Sequence, residues 1–526
     1  MTSLDTVQTD QATDSAGIGG PSRRRTWTLV IACAGVALVV GSMTALNTAL
    51  GDIAVGTSAT QTQLTWVVDG YTLVLACLLL PAGAIGDRYG RRRALLAGLA
   101  LFAVASLAPL VFATPVQIIV SRAVAGLGAA FIMPSTLSLL TAVYSAEERA
   151  KAVGIWAGVA GSGGALGMLC SGGLLHIWPW QSIFWGLGGA ALLLLVLGFT
   201  VSPSRVADAP PVDWPGAVLI GAAVAVLVFG ILEAPSHGWS HPVVYASIAA
   251  GMVLAVIFGV VELRRRQPLL DVRVFSDPGF ATGAATIVIF FAANLGFFYL
   301  LVQHLQLVMG YSAITTAFAI APLMVGIVSL SALSFWYLPR LGLRLVLFSG
   351  LLLISVGFFL LQSVDMSSTY LDLLWRWIFL SIGIGLITAP ATSAIMGAVP
   401  DNKQGVASAV NDAAREIGAA LGIAVAGSIL AARYASLMGP AVAALPEPVR
   451  EPASDSLASA LKVSEHLGPQ GHQLAVASQD AFVHALQSSV LVIAVIVAVS
   501  AFVIGLWAPG RDGKQLKVIQ RLTARS

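Results

Sequence analysis

The segment Gly83-Ala84-Ile85-Gly86-Asp87-Arg88-Tyr89-Gly90-Arg91-Arg92-Arg93 decides how the rest of the chain is read. One apolar run, 72–85, leads into it, and another, 94–112, leads away. A knot of arginines between two runs of membrane-spanning length has to lie in water. The excess of Arg assigns it to the cytoplasmic side of a bilayer. Its glycines let the backbone turn tightly between two helix ends.

The same pattern continues outward in both directions. The 526 residues are 57% hydrophobic and only 10% charged, with a mean hydropathy of +0.87. A soluble domain carries about 25% charge. Apolar runs recur from Trp27 to Leu506, and their lengths suit helices. A β-barrel would instead alternate over strands of about ten residues. The expected spans are 27–50, 63–85, 94–112, 117–140, 152–175, 181–201, 214–233, 242–262, 281–303, 313–337, 345–364, 371–396, 408–431 and 485–508. Cys33, Cys77 and Cys170 lie in apolar stretches, which suggests neither disulfides nor a metal site. A Gly-rich nucleotide loop ending in Gly-Lys-Ser/Thr is absent, so ATP-driven transport has no support.

Charge tests this count. With fourteen spans, most of the 28 Lys and Arg fall on one side of the membrane. Arg376, Arg433, Arg450 and Lys462 fall on the other, and Arg122 lies within the bilayer. The asymmetry implies that both termini are cytoplasmic. Linkers then divide the chain. Residues 1–26 form a polar tail without a cleavable signal, read as disordered. A six-helix half at 27–201 follows, then linkers and a two-helix hairpin at 202–280, then a second six-helix half at 281–508 and a tail at 509–526. Leu338-Pro339-Arg340-Leu341-Gly342-Leu343-Arg344 repeats the basic loop at the matching place in the second half, without the Asp. Residues 432–484 read as a long extracellular loop, broken by Pro440, Pro446, Pro448 and Pro452, with short helices at 455–467 and 472–484.

The pattern Gly-x-x-Gly-Asp-Arg-x-Gly-Arg-Arg resembles the signature loop of the major facilitator superfamily. Fourteen spans resemble its drug:proton antiporter branch, which includes quaternary-ammonium and multidrug efflux pumps. Val212-Asp213-Trp214-Pro215-Gly216, Gln267-Pro268-Leu269-Leu270-Asp271 and Gly405-Val406-Ala407-Ser408-Ala409-Val410-Asn411 extend the likeness. The resemblance implies an all-α membrane protein with two six-helix halves and a central hairpin, the hairpin acting as a peripheral strut. It also implies a conformational latch at Gly83, Asp87, Gly90, Arg91 and Arg92, where the Asp caps a helix of the opposite half.

Charges inside spans are costly, about 2.5–3.5 kcal/mol each at the bilayer centre, so each is a candidate site. Asp69 shares a helix face with Trp66 and Thr72. A carboxylate beside an indole suits a lipophilic cation and can also carry a proton. Arg122 lies in a stretch resembling the family's fourth-helix motif, where the Arg is implicated in proton coupling. Asp412, Arg415 and Glu416 stand at ion-pairing distances along one helix, and Asp412 and Glu416 are further acid candidates. Gly163, Gly167 and Ser171 recur every four residues, a seam for close helix packing. Glu233, His237 and His304 read as interfacial. Two departures from the family stand out. Met168 replaces the antiporter motif's Pro, and Ser42 replaces the usual first-span Asp.

The expected function is proton-coupled efflux of amphipathic small molecules, lipophilic cations and antibiotics, through a monomer in the cell membrane. Its partners are a small-molecule substrate and the lipid bilayer, with no nucleic acid. Its cofactor is none beyond the proton gradient. With Ser42 in place of an acid, monovalent cations should be handled better than divalent ones. One rival is an uncoupled carrier of a neutral or lipidic solute. A membrane-embedded enzyme is the other, but it would need clustered His, Asp or Glu at one interface, and no such cluster is visible in the sequence.

Overall fold

Threonine boxes start three of the long helices. The side chains of Thr60, Thr114 and Thr369 each accept the backbone N–H three residues on, and Gln63, Gln117 and Asp372 reach back to the cap N–H. Asp213, Asp277 and Ser312 cap three more. The computed structural model describes residues 21–112, 114–204, 211–400, 403–443, 445, 447–466 and 469–516. Residues 1–20 of the expected tail, part of the first linker at 205–210 and the chain end at 517–526 lie outside the described residues; the last residues of that tail, 21–26, are not disordered but form the first turns of α1.

Among the described residues the regular structure is helical throughout. The helices are α1 (Pro21–Ala45), α2 (Leu50–Thr57), α3 (Gln61–Tyr89), α4 (Arg91–Leu107), α5 (Pro115–Val143), α6 (Ala146–Ile177), α7 (Gln181–Gly198), α8 (Trp214–His237) and α9 (Pro242–Arg264). They continue with α10 (Pro278–Gln303), α11 (Ala313–Ala332), α12 (Ser334–Leu341), α13 (Leu343–Leu360), α14 (Tyr370–Gly397), α15 (Gln404–Val442), α16 (Glu447–Asp455), α17 (Leu457–His466) and α18 (Pro469–Trp507). Fourteen of them are long and apolar enough to cross a membrane; α2, α12, α16 and α17 are short extras. In the first half α1 packs on α6, and α5 packs on both α3 and α4. In the second half α10 packs on α15, and α13 on α14 and α18. The halves meet along α6 with α11 and along α3 with α15.

The basic loop and its repeat share a backbone. Gly90 joins α3 to α4 at φ 108°, and Gly342 joins α12 to α13 at φ 77°, a region that favours glycine. Each N–H closes the helix before it, Gly90 onto Gly86 and Gly342 onto Leu338. The expected span 313–337 is interrupted at Leu333, which separates α11 from α12.

Two expectations are corrected. The hairpin is not a peripheral strut. Val224, Val228 and Ile231 of α8 are buried in one apolar cluster with Ala76 of α3 and Ala420 and Ala424 of α15. α8 is thus wedged where the halves meet, and α9 covers it. The stretch 432–484 holds helix where short helices were expected, in α17 and at the start of α18, but it is more helical than the expected loop. α15 continues to Val442, α16 and α17 fill the middle, and α18 already starts at Pro469. Tyr434, Met438 and Val442 recur every four residues and bury one face of the extended α15. The Tyr434 hydroxyl donates to the Ala453 carbonyl at 3.3 Å, and Gln479 ties α18 to the Leu307 carbonyl at 2.9 Å. Pro440 removes only one N–H close to the helix end, so it does not stop α15.

Candidate functional site

Arg122 lies about two turns into α5 and is 2% exposed. Its Nη1 donates to Ser42 Oγ at 2.8 Å and its Nη2 to the Ser42 carbonyl at 3.1 Å. Its Nε donates to the Val67 carbonyl at 3.2 Å, and the guanidinium lies 4.2 Å from the Tyr71 ring centroid. Tyr71 is held in turn by its hydroxyl bond to the Val39 carbonyl at 3.0 Å. α5 can come this close because Gly126 meets the Tyr71 carbonyl with no side chain between them. Each nitrogen of Arg122 is therefore engaged, and its partners are a hydroxyl and two carbonyls. Among the described residues no hydrogen bond or ion pair joins Arg122 to Asp69.

Asp69 is half-buried on α3, the helix that packs on α8 of the hairpin. Trp66 stacks on Phe229 of α8, with centroids 6.2 Å apart and planes 28° from parallel. Asp69 is within electrostatic reach of Glu233, one turn further along α8. Glu233 pairs with His237 at 2.9 Å, and the His237 ring lies 5.0 Å from that of His241. Thr72 is half-buried one turn from Asp69. Just beyond α8, Trp239 donates to Ser428 of α15 at 2.9 Å. The hairpin thus touches Trp66 of one half and Ser428 of the other. His304, expected at an interface, is 2% exposed, and neither ring nitrogen has a hydrogen-bond partner among the described residues. It begins a π-helical turn, His304–Val308.

The third group lies on α15. Asn411, Asp412, Arg415 and Glu416 are all at most 4% exposed. The expected ion pair is not formed. Asp412 accepts only from Asn411 Nδ2, at 3.2 Å. Asp412 Oδ2, Glu416 Oε2 and all three nitrogens of Arg415 have no hydrogen-bond partner among the described residues. The guanidinium lies instead 4.8 Å from the Trp156 ring centroid of α6 and 5.3 Å from that of Phe291 of α10. Burial is the physical reason. Sequence spacing assumes a solvated helix surface, where neighbours meet freely. Here the side chain is held by flat rings from two other helices. α15, which carries Glu416, packs on α3, which carries Tyr71, so the two lie on helices of opposite halves that face each other.

The basic loop closes one end of the molecule. Asp87 Oδ2 accepts the N–H groups of Gly405 (2.8 Å) and Val406 (3.3 Å) in the first turn of α15. Its Oδ1 pairs with Arg91 at 3.1 Å, and Arg91 also donates to the Ser138 carbonyl at 3.1 Å. Arg92 donates to the Phe199 carbonyl at 2.7 Å. A Cβ on Gly83 would overlap the Gly405 carbonyl, so only glycine permits the contact. The α6 seam meets α1. A Cβ on Gly163 would stand 2.8 Å from Val40 Cβ, and one on Gly167 would overlap Gly41. Ser171 Oγ accepts from Thr48 at 3.0 Å.

The structure therefore sets Asp69 on the α3 face near α8, bonds Arg122 to Ser42 and rests Arg415 on Trp156, and it does not join these three groups into one. Arg415 and Glu233 are the residues that sequence reasoning undervalued. Glu233 was detectable as an acid within a span, four residues before a histidine. The aromatic neighbours of Arg415 come from helices more than a hundred residues away and left no local signal.

The family model described as "Major Facilitator Superfamily" matches residues 32–423. Among curated proteins, the multidrug resistance protein Stp of Mycobacterium tuberculosis is 32% identical over 499 residues, covering 92% of this chain and 93% of that one. The multidrug efflux pump LfrA of Mycolicibacterium smegmatis is 32% identical over 506 residues, covering 93% and 98%. The methyl viologen resistance protein SmvA of Salmonella typhimurium is 32% identical over 466 residues, covering 87% and 93%. Among solved structures, a bacterial homolog of the human lysosomal transporter Spinster, inward-facing and unoccupied, aligns with a TM-score of 0.62 at 17% identity, covering 93% and 98%. The proton:xylose symporter XylE aligns at 0.59 and 13% identity, covering 96% and 100%.

Proposed function

Because this chain belongs to the major facilitator superfamily, and so is a multi-pass membrane transporter of small molecules and not an enzyme, we propose that it exports lipophilic cations and antibiotics from the cell in exchange for protons. The observation that carries this reading is the layer of buried charge where the halves meet. Arg122 and Tyr71 lie on one side of it, and Asp412, Arg415 and Glu416 on the other. Buried charge is expensive, and a rigid protein would have little use for charges left without bonds. A carrier whose halves rock against each other can re-partner such groups in each state. The relatives named for multidrug efflux and methyl viologen resistance support the cargo class. Asp69, beside the Trp66–Phe229 stack, offers a carboxylate and a π face to a cation. The Asp87 contact to α15 serves as the latch of the cytoplasmic side.

In inverted vesicles the wild-type chain should release protons as it takes up tetraphenylphosphonium uphill, and Asp69→Asn should abolish both. Retention of both by Asp69→Asn moves coupling away from this residue. A second reading, an uncoupled carrier of neutral or lipidic solutes, is favoured by one observation. The position of the family's first-span acid is Ser42, and it is occupied in bonding Arg122. Uptake by the wild type without proton release would decide for that carrier.

A further inference from the structure

Arg415 is a buried cation whose setting differs from that of an ordinary structural arginine. It is 2% exposed, and Nε, Nη1 and Nη2 donate to nothing among the described residues. Leaving such a group without acceptors is costly. Two π faces offset part of that cost, Trp156 at 4.8 Å and Phe291 at 5.3 Å. The rings come from different halves, Trp156 from α6 and Phe291 from α10. Trp156 is fully buried and fixed by its Nε1–H bond to Thr136 Oγ1 at 3.1 Å, so the ring stays in place without the arginine. Asp412, one turn back on α15, and the adjacent Glu416 each keep an oxygen unbonded. The guanidinium therefore has two stations: the ring pair it occupies and the carboxylates it does not.

We propose that the Trp156–Phe291 pair is a binding site for the cationic head group of the substrate, and that Arg415 occupies it here as an internal stand-in. An arriving organic cation takes the place of the guanidinium on the rings. Arg415 then turns to the unbonded oxygens of Asp412 and Glu416. Charge stays balanced through the exchange, since one cation replaces another on the rings and the displaced one meets acids already present. The inference rests on the reading of the chain as an exporter of organic cations and adds the place where the head group sits.

An internal occupant competes with substrate, so removing it should tighten binding. The test is tetraphenylphosphonium binding to the purified full-length protein by equilibrium dialysis. With the occupant removed, in the Arg415→Gln background, Trp156→Leu should weaken binding about tenfold, the factor for losing one desolvated cation–π contact; with Arg415 present its effect should be smaller, because the guanidinium loses the same contact. Arg415→Gln should tighten binding about tenfold, while Arg415→Lys, which retains a cation for the rings, should stay close to wild type. The gain in Arg415→Gln must be largely lost in the Trp156→Leu/Arg415→Gln double variant. A gain of equal size in both backgrounds would reflect only the removed charge and overturns the proposal. Unchanged binding when Trp156→Leu is added to Arg415→Gln, or to Arg415→Met should the first not fold, overturns it as well. If Arg415→Gln instead loses affinity for an aromatic carboxylate and leaves the cation unaffected, Arg415 holds an anionic group and the stand-in is refuted. A wild-type protein that neither binds nor transports any organic cation defeats the export reading itself, an outcome distinct from all of these.

Discussion

Arg122 and Arg415 are equally buried, both at 2% exposure, and both lie on an aromatic ring. They differ in everything else. Arg122 makes three hydrogen bonds to α1 and α3 of its own half, whereas Arg415 makes none among the described residues and rests on a ring of the other half. The first is tied into the packing of one rigid unit. The second depends on where the two units sit relative to each other. A carrier needs both kinds of charge, one to hold a half together through the cycle and one to change partners as the halves move.

The most disruptive way to break the comparison is to wedge apart the frame that holds Arg122. Gly167 of α6 abuts Gly41 of α1, the residue before Ser42. Gly167→Leu should drive α1 outward, withdraw Ser42 from Arg122 and abolish transport, with overpacking costing about 1–3 kcal/mol or more. Normal transport by Gly167→Leu would mean that the α1–α6 seam is not needed to hold the arginine.

Next in size is the direct contrast of the two arginines. Arg122→Gln leaves Ser42 and the Val67 carbonyl short of donors in a dry interior, and should cost about 2–4 kcal/mol of stability. Arg415→Gln removes a charge with no hydrogen bonds to lose, and should change stability by less than about 1 kcal/mol. Thermal unfolding of the detergent-solubilised variants checks the order, and equal losses would erase the distinction. A smaller effect on stability is expected of Asp87→Asn. It keeps an acceptor for the first N–H groups of α15 and loses the charge that favours a helix N-terminus, about 0.3–1 kcal/mol, together with the ion pair to Arg91. The protein should remain folded, yet transport should be crippled because the closed end is weakened. Wild-type transport rates would remove the latch.

The contrast also explains what the sequence could and could not disclose. The fourteen spans and the two halves were legible because they rest on runs of apolar residues and on local charge. Asp87 was legible because a glycine-bounded basic loop is a local pattern. The wedged position of α8 was not, since its contacts with Ala76 and Ala420 pair segments far apart in the chain. The segment 432–484 misled for the opposite reason: its prolines signalled breaks, but the buried faces at Tyr434, Met438 and Val442 outweighed them. Asp412 and Arg415 were misread as an ion pair because spacing along one helix says nothing about rings brought in by α6 and α10.

The smallest expected effect gives the sharpest version of the comparison. Ser42→Asp places a carboxylate where Ser42 Oγ now meets Arg122 Nη1 at 2.8 Å. Desolvating the new charge roughly cancels its attraction to the arginine, so stability should change by less than about 1 kcal/mol. The electrostatic consequence is different. In the wild type Arg122 is bonded only to neutral groups, and its positive charge repels any cation crossing the first half. A carboxylate at position 42 cancels that charge. Coulomb repulsion scales with the charge of the cargo, so a dication gains about twice the free energy that a monocation gains. The ratio of methyl viologen to tetraphenylphosphonium uptake should therefore rise by the same factor as monocation uptake itself, a few-fold change. It should do so without a new proton carrier, because an acid paired with a fixed arginine remains ionised. Initial uptake rates and proton release, measured together in inverted vesicles, separate the two effects. An unchanged ratio would mean that the charge of Arg122 does not reach the substrate path. A raised ratio with extra protons released per dication would mean that position 42 titrates, and that Arg122 releases its partner during the cycle.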